Sequence, residues 1–453
     1  MENRNLSLTQ GKPLYKILFF SIPLVLGTFF QQFYSFVDSI IIGRCISNQA
    51  LGGVGATYSL NFLIIGFIQG FCIGLSIPLS QSIGAKNKID MQRFFWNGTW
   101  LCIIVSIVLG VIMTWSTPWL LALIKTPANL LNSAILFIRP QFSCLGVTIL
   151  YNFSASVLRA MGDSRHPFYF LVLASFLNIA LDFLFIITLH WGVTGAAWAT
   201  ILAQLFSGLL NIFWIKKKYN NIFLKTPKLK FSTVHVKRLL YISLPMGFEY
   251  SISALGAIVM QVAINHMGST IIIAQTAGEK IRQTFTLPME SIGMGMTTYV
   301  GQNIGAKSLK RVQQGIKAGI QIQFVYCIFC LVIIMLFAPQ LSEFMLGYHH
   351  DLIVLSSLYL RIMSMTFILH GSLMIYRNTL QGLGYSFQAI LSGICELTGR
   401  SLTSVIAITM SSFTTICLIN PAAWGLALAY CMFITIKKIK QLTKILRRNF
   451  YVK

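Results

Sequence analysis

Apolar stretches recur along the whole chain, separated by short polar connections. Each is long enough to reach the ~20 residues that a helix needs to cross the hydrocarbon layer of a bilayer. We predict spans at 16–43, 49–79, 94–116, 132–158, 167–189, 193–215, 239–266, 270–301, 315–338, 353–382, 387–411 and 416–436. Several exceed the required length, so those helices are expected to tilt or to project beyond the hydrocarbon. The pattern therefore predicts an all-α integral membrane protein.

The composition supports a membrane location. Hydrophobic residues make up 55% of the 453 residues and charged residues only 10%, whereas soluble domains carry about 25% charged residues. A soluble protein of this length could not bury so much apolar surface. The nine cysteines are scattered through apolar stretches and predict neither a metal site nor a disulfide framework.

The charge balance is strongly basic, with 35 Lys and Arg against 11 Asp and Glu. In a soluble protein such an excess would suggest nucleic acid as a partner, but here the basic residues lie in the connections between apolar stretches. They concentrate after the even-numbered spans and at both ends of the chain, above all in 216–238. By the positive-inside rule we predict a multi-pass protein of the cytoplasmic (inner) cell membrane with both termini cytoplasmic and no nucleic acid partner.

The two halves of the sequence resemble each other. The segments 21–23 and 243–245 match at a shift of 222, and the segments 81–86 and 302–307 match at a shift of 221. An even number of spans per repeat gives two bundles with the same orientation, an arrangement found in secondary transporters with the pathway between the halves. We expect an N-lobe at 1–215, a basic cytoplasmic linker at 216–238, a C-lobe at 239–436 and a basic cytoplasmic tail at 437–453.

One proline lies inside the first predicted span of each half, Pro23 in the first and Pro245 in the second. Each removes a backbone hydrogen bond and permits a kink. The kink can be static, or it can be a hinge whose bend changes during transport. The sequence leaves both interpretations open.

Charges in the hydrocarbon cost at least ~2.5–3.5 kcal/mol each on insertion scales, so each needs a reason. Six of the eleven acidic residues are assigned to loops, termini or span ends. The intramembrane candidates are Asp38, Asp182, Glu249, Glu290 and Glu396.

Asp38, Asp182 and Thr200 are predicted to lie at one depth, ~8–11 Å below the outer surface, and Asn178 lies one turn from Asp182. Two carboxylates, an amide and a hydroxyl could hold a proton or a sodium ion, because oxygen ligands suit a hard cation. Burial and mutual repulsion favour proton uptake by at least one aspartate. Alternatively, each aspartate caps or hydrogen-bonds a neighbouring helix.

Gln31 and Tyr34 share a helix face with Asp38 and are predicted, together with Asn152, to line a substrate cavity. Residues that only pack helices together would show the same spacing, so that interpretation stays open.

The second half offers Glu249, Glu396 and Arg400 as candidates. The spacing of Glu396 and Arg400 by four residues fits an intrahelical ion pair, and a role in substrate or proton passage stays open. Glu249 follows Pro245 by one turn and is either a second carboxylate site or a packing residue.

Several motifs resemble those of the multidrug and toxic compound extrusion (MATE) transporters. Pro23 is followed by Val37-Asp38-Ser39-Ile40-Ile41-Ile42-Gly43 and then by Ala50-Leu51-Gly52-Gly53-Val54-Gly55, similar to the first-span signature. Further matches are Leu158-Arg159-Ala160-Met161-Gly162-Asp163, Val300-Gly301-Gln302-Asn303-Ile304-Gly305-Ala306 and Pro421-Ala422-Ala423-Trp424-Gly425. The resemblance covers essentially the whole chain. It implies a V-shaped antiporter of two six-helix bundles that exports bulky, often cationic compounds as protons or sodium ions move inward.

The resemblance also extends to individual residue positions. Those that match the first-lobe cation and cavity positions of the prokaryotic branch resembling DNA-damage-inducible protein F are Pro23, Gln31, Tyr34, Asp38, Asn178, Asp182 and Thr200. NorM-like and eukaryotic members carry a glutamate eight residues after the seventh-span proline, where this chain has Ser253. We therefore expect the cation site in the first lobe.

Other functions fit the sequence less well. A lipid or lipid-linked oligosaccharide flippase of the same superfamily often needs a strongly basic central cavity, and few basic residues were assigned to the spans: Arg139, Arg361 and Arg400. An intramembrane enzyme would need a nucleophile or metal motif, and the chain has no H-E-x-x-H, G-x-S-x-G or Walker motif. We expect a monomer without enzymatic activity, cofactor or bound metal except a possible Na⁺ at Asp38 and Asp182. The expected partners are drug-like molecules and membrane lipid, with H⁺ or Na⁺ as the coupling ion.

Overall fold

The computed structural model describes residues 7–223 and 231–451, and these residues form helices and short connections without strands. Lys225, Lys228 and Lys230 of the basic linker lie outside this part of the chain. The first half contains α1 (Pro13–Cys45), α2 (Asn48–Ala56), α3 (Tyr58–Gly84), α4 (Lys88–Leu123), α5 (Ala128–Ser143), α6 (Leu145–Ala160), α7 (Arg165–Asp182) and α8 (Gly192–Phe223). A π-helical segment, Phe183–Thr188, continues α7.

The second half contains α9 (Thr233–Asn265), α10 (Ser269–Gly305), α11 (Leu309–Leu346), α12 (His350–Gly382), α13 (Ser386–Met410), α14 (Phe413–Cys417) and α15 (Ile419–Tyr451). Many of these helices extend well past the predicted spans. The ninth span, predicted at 315–338, is the 38-residue helix α11.

Among the described residues, nine helices are long and apolar enough to cross a membrane, and a tenth span is the bent pair α5 and α6. The two remaining long helices, α10 and α13, complete the predicted twelve. Both are more polar than the other spans, because α10 contains Glu279, Arg282 and Glu290 and α13 contains Glu396 and Arg400. Polar groups of this kind are tolerated at membrane depth where they face protein rather than lipid.

Two predicted spans are interrupted. The fourth, predicted as continuous, bends by 54° between α5 and α6, next to Cys144 and four residues after Pro140. A proline removes a helical hydrogen bond and is a common cause of kinks. The second, predicted at 49–79, is divided at Thr57 into the short helix α2 and the long helix α3. Ser47 caps the start of α2, because its side chain accepts a hydrogen bond from the Ala50 N–H.

The chain folds into two compact units. Of the described residues, unit 1 contains 7, 26–223 and 231–251, and unit 2 contains 8–25 together with 252–451. The predicted lobe boundaries at 215 and 239 do not coincide with these units, because the first part of each half's first helix packs with the other half. Helix α1 changes unit just after Val25, and α9 changes unit just after Ser251.

Unit 1 is built around an apolar core contributed by α3, α4, α5 and α6. Phe71, Phe142 and Leu158 are fully buried there. Val236 and Leu239, from the start of α9, belong to the same core. Their burial explains why 233–251 groups with the first half.

Unit 2 has a core of residues from α10, α11, α12 and α15, with Tyr359 and Phe367 fully buried. A second cluster in this unit joins Ile17 and Phe20 of α1 to Met296 of α10. The start of α1 is thus a structural part of unit 2.

The repeated Ser-x-Pro motif lies at a close helix contact in each unit. A Cβ atom placed on Gly74 of α3 would lie 2.5 Å from the Ser243 Cα atom of α9. The repeat-related contact joins Gly295 of α10 to Ser21 of α1. A Cβ atom placed on Gly295 would lie 2.5 Å from the Ser21 hydroxyl oxygen. Small residues allow helix backbones to approach closely in membranes, which explains the glycine and serine at these positions.

The second repeated motif binds the segment before α1 in unit 2 and the first turns of α9 in unit 1. In unit 2, Gln302 accepts a hydrogen bond from the Leu8 N–H (3.1 Å), and Asn303 donates one to the Leu8 carbonyl (3.2 Å). In unit 1, Gln81 accepts one from Arg238 at 2.6 Å. The motif therefore makes a contact with a neighbouring segment in each unit, although the partner groups differ.

Candidate cation site and substrate cavity

Three helices of unit 1 bring together the predicted cation residues. Asp38 lies on α1, Asn178 and Asp182 on α7, and Thr200 on α8. Asp182 is the last residue of α7 before the π-helical segment, and such segments often occur at functional sites.

Asn178 connects the three helices. With its amide oriented to satisfy both ends, its nitrogen donates to Asp38 Oδ1 at 3.0 Å and its oxygen accepts from the Thr200 N–H at 3.3 Å. The carboxyl groups of Asp38 and Asp182 lie within hydrogen-bonding reach of each other. The Thr200 hydroxyl donates to the Ala196 carbonyl of its own helix (3.1 Å).

Asp182 is fully buried, and neither of its carboxylate oxygens meets a hydrogen-bond donor among the described residues. Asp38 is half-buried. Two carboxylates in contact in a low-dielectric interior repel each other strongly when both are charged, and an unpaired buried charge is costly. The geometry therefore suits a proton shared between the two groups or a small cation bound by their oxygens.

A small, partly open cavity adjoins this site inside unit 1. It is lined by Gln31, Tyr34, Tyr151, Leu171, Ala174, Ser175, Asn178, Thr200, Ala203, Gln204 and Ser207. Gln31 and Tyr34 were predicted to line a cavity. Tyr151 of α6 and Gln204 of α8 were not, and Gln204 is bound to the Thr148 hydroxyl at 2.8 Å. The four-residue spacing of Thr200 and Gln204 on α8 was the signal that could have located this face.

Asn152 was predicted to line the cavity, but it is not among the lining residues of the described cavity. Its side-chain nitrogen donates to the Thr148 carbonyl of its own helix at 2.9 Å. Tyr151, its neighbour in sequence, occupies the cavity wall instead.

Glu249 was considered a second-lobe candidate, but the structure places it in unit 1. It is buried, on the part of α9 that packs with unit 1. Met246 and Ser243, about one and two turns earlier in the same segment, are also buried.

Glu396 and Arg400 in unit 2 do not form the isolated pair that their spacing suggested. The strongest partner of Glu396 is Arg377 of α12, which forms a short ion pair with Glu396 Oε1 and donates to the Ser392 hydroxyl at 2.9 Å. Arg400 lies 3.8 Å from Glu396 Oε2 and donates to the Ser253 carbonyl at 3.3 Å. Sequence reasoning missed Arg377, although it falls inside the predicted tenth span.

A second, half-buried ion pair corrects the assignment of Glu279 to a span end. Glu279 Oε1 lies 2.5 Å from Arg282, one turn along α10, and Tyr359 of α12 donates to Glu279 Oε2 at 2.5 Å. The eighth span was predicted at 270–301, so both charges lie within it. Counting every charge inside the predicted spans would have found this pair.

Glu290 lies further along α10. Its side chain is 49% exposed and its Oε1 atom lies 3.8 Å from His370 of α12. His370 is buried against Trp424, with 4.6 Å between ring centroids.

The sequence profile of the MatE family matches residues 23–184 and 245–399. The chain belongs to the MATE family. The two matched segments begin at Pro23 and Pro245, as expected from the internal repeat, and the resemblance inferred from the motifs is confirmed.

Curated relatives extend over most of the chain. "Probable multidrug resistance protein YoeA" of Bacillus subtilis (strain 168) is 26% identical over 442 residues, 94% of this chain and 95% of the relative. "Probable multidrug resistance protein YpnP" of the same organism is 30% identical over 308 residues, 67% of this chain and 68% of the relative.

Solved structures share the fold. One described as "Crystal structure of MATE in the bent conformation" superimposes with a TM-score of 0.91 at 22% identity, covering 98% of this chain and 99% of the other. The prediction of an all-α, twelve-span membrane fold is confirmed.

Proposed function

We propose that this MATE protein exports bulky, often cationic organic compounds by alternating access, in exchange for H⁺ or Na⁺. The observation that carries the proposal is the contact between the carboxyl groups of Asp38 and Asp182. The oxygens of Asp182 are buried and lack donors within the described chain. Such a pair gains most from binding a proton or a small cation, and intramembrane carboxylates of this kind mark ion pathways.

The coupling needs an energy source and a difference in affinity between states. An inward-moving monovalent cation gains ~2.3 kcal/mol per 100 mV of membrane potential. Export is coupled to this gain if the cation and the drug favour opposite states of unit 1. Because Asp38 and Asn178 join α1 to α7, the charge of the carboxyl pair can control how these two helices pack.

The side chains that line the cavity beside the pair have the chemistry expected for the proposed substrates. Tyr34 and Tyr151 offer aromatic faces for an organic cation, and Gln31 and Gln204 offer polar groups that fix its orientation. The names of both Bacillus relatives refer to multidrug resistance, which agrees with a cavity that binds by shape and aromatic contact.

Pro23 and Pro245 are proposed as hinges. Each lies shortly before the point where its helix changes unit, after Val25 in α1 and after Ser251 in α9. A helix that belongs to two units must bend if the units move, and proline removes the hydrogen bond that would resist bending.

The charges of unit 2 favour this proposal over a flippase with a basic cavity. Arg282 is paired with Glu279, and Arg377 with Glu396. Arg400, the third arginine of this group, also lies 3.8 Å from Glu396. We therefore assign Glu396 and Arg400 to a largely neutralised structural cluster.

The proposal is tested by efflux from proteoliposomes with imposed proton or sodium gradients. Asp38→Asn removes one of the two charges and is expected to lower gradient-driven efflux by about tenfold or more, the scale of a lost functional proton-transfer group. Glu343→Gln, an acid near the end of α11 outside the site, is the matched control and should transport normally. Undiminished coupled efflux in Asp38→Asn would refute the proposal.

A further inference from the structure

One face of α8 carries polar side chains along almost its whole length. The α8 stripe consists of Thr200, Gln204, Ser207, Asn211, Trp214 and Lys218. Residues at such spacings are neighbours on a helix surface, about 5–6 Å apart. Lys218 lies 18 residues after Thr200, or about 27 Å along the helix, close to the thickness of the hydrocarbon layer.

The stripe faces the interior of unit 1. The other side of α8 carries large apolar residues with exposed side chains, among them Leu209 and Phe213. Thr200, Gln204 and Ser207 border the cavity. A polar row across the full hydrocarbon thickness is expensive unless its groups find partners.

The centre of the stripe lacks such partners among the described residues. Ser207 and Asn211 are 1% and 0% exposed, and neither the Ser207 hydroxyl nor either polar atom of the Asn211 side chain has a hydrogen-bond partner there. The Trp214 Nε1 atom is also buried without a hydrogen-bond partner among the described residues. A buried polar group left unbonded costs about 1–3 kcal/mol, so groups of this kind are usually satisfied by buried water.

The two ends of the stripe reach titratable groups. At one end, the Thr200 N–H is bound to Asn178, which donates to Asp38. At the other end, Trp214 stacks on His166 with 4.0 Å between ring centroids.

His166 belongs to a small charged cluster at the predicted cytoplasmic end of unit 1. Its ring nitrogen lies 2.8 Å from Asp163, and Lys218, the last residue of the stripe, lies 3.1 Å from the same carboxylate. The stripe thus joins the carboxyl pair to ionisable groups on the far side of the hydrocarbon.

We propose that water molecules bound by Ser207 and Asn211 complete a proton path along α8, from Asp38 and Asp182 to His166 and Asp163. The proposal rests on the proposed function, because it supplies the exit route for a proton that the carboxyl pair has taken up. A proton leaves the pair as the neighbouring water accepts it. Each further step breaks one O–H or N–H bond and forms another until the proton reaches water beside the cluster. Ser207 and Asn211 act as positioning residues for this water.

The decisive variant is Asn211→Leu, which keeps the number and branching of the side-chain heavy atoms and removes both polar atoms. We expect proton-driven efflux in proteoliposomes to slow by about tenfold or more, while equilibrium binding of a fluorescent cationic drug at fixed pH stays within about twofold of wild type. Asn211→Ser, which keeps a hydroxyl and room for water, should retain most of the rate. Ile212→Leu, on the exposed side of α8, is the control and should not change the rate.

The outcomes separate this path from the proposed function. If Asp38→Asn is inactive but Asn211→Leu transports at the wild-type rate, the path is refuted and the function stands. If both variants transport normally, both are refuted. Efflux that responds to a sodium gradient alone also refutes the path. Should Asn211→Leu fail to fold, Ser207→Val tests the same water one turn away, and normal proton-driven efflux by that variant would refute the path.

Discussion

Asn178 donates a hydrogen bond to Asp38 across 3.0 Å, and through it α7 is tied to α1. The same amide accepts from the Thr200 N–H of α8 at 3.3 Å. One neutral side chain thus fixes the position of a carboxylate relative to two other helices. The geometry of the carboxyl pair depends on it even though Asn178 carries no charge.

Replacing Asn178 with leucine should therefore impair coupling without changing any charge. The variant removes one donor and one acceptor at a buried site, so we expect it to destabilise the protein by about 1–3 kcal/mol and to lower coupled efflux. Phe176→Leu is the control on the same helix, because its side chain is 63% exposed and is not among the cavity-lining residues. Thermal unfolding and proteoliposome efflux measure both effects. Equal behaviour of the two variants would contradict the assigned role.

Arg377 should be essential for the stability of unit 2. Arg377→Gln leaves Glu396 buried without its closest counter-charge, and breaking a buried ion pair by removing one partner costs about 3–5 kcal/mol. Arg361→Gln, at an exposed position of the same helix, should have little effect on the melting temperature. Adding Glu396→Gln to Arg377→Gln should restore part of the loss. A melting temperature of Arg377→Gln equal to wild type would contradict the inferred pairing.

Local and periodic features of the sequence predicted much of the fold. The recurrence of apolar stretches located the spans, and the matching segments around Pro23 and Pro245 revealed the repeat. Asp38, Asn178, Asp182 and Thr200 could be grouped because span direction and the helical rise put them at one depth.

The side-chain contacts between helices that are distant in sequence could not be predicted from these features. The partner of Glu396 is Arg377 on another helix, so the four-residue spacing to Arg400 pointed to the weaker contact. Glu249 belongs to unit 1 because α9 packs on α3 through Gly74 and Ser243. Sequence position alone places Glu249 in the second half, and only the helix contacts show otherwise.

The close contact of Gly74 with Ser243 predicts that a methyl group is not tolerated there. Gly74→Ala would place its Cβ atom 2.5 Å from the Ser243 Cα atom, so backbone must shift. Overpacking of this kind costs about 1–3 kcal/mol. Gly425→Ala is the matched control, because a Cβ atom there meets nothing within 4 Å and alanine favours the helix by about 0.8–1.0 kcal/mol. We therefore expect Gly74→Ala to lower the melting temperature and Gly425→Ala to raise it. A Gly74→Ala variant as stable as Gly425→Ala would show that the helices are not in close contact.

Asp163 should make stability depend on acid pH. Burial alone would raise the pKa of this carboxyl, but hydrogen bonds from His166 and Lys218 and their charges outweigh burial and lower the pKa below its ordinary value. A carboxyl with a lowered folded pKa stabilises the protein fully above its unfolded pKa of about 3.9 and loses that contribution as the pH falls through the folded pKa. Asp163→Asn should therefore lower the melting temperature at neutral pH, and the difference from wild type should shrink below about pH 4. A difference that stays constant over this range would contradict an ionised Asp163 in the folded protein.

The sharing of one cation between Asp38 and Asp182 is tested most directly by a double-mutant cycle. Coupled efflux is measured for Asp38→Asn, for Asp182→Asn and for the double variant under the same gradient. Two carboxyl groups that act as one site give strongly non-additive effects, so we predict that each single variant loses nearly all coupled efflux and that the double variant is no worse. Two independent losses that add in free energy would contradict a shared site.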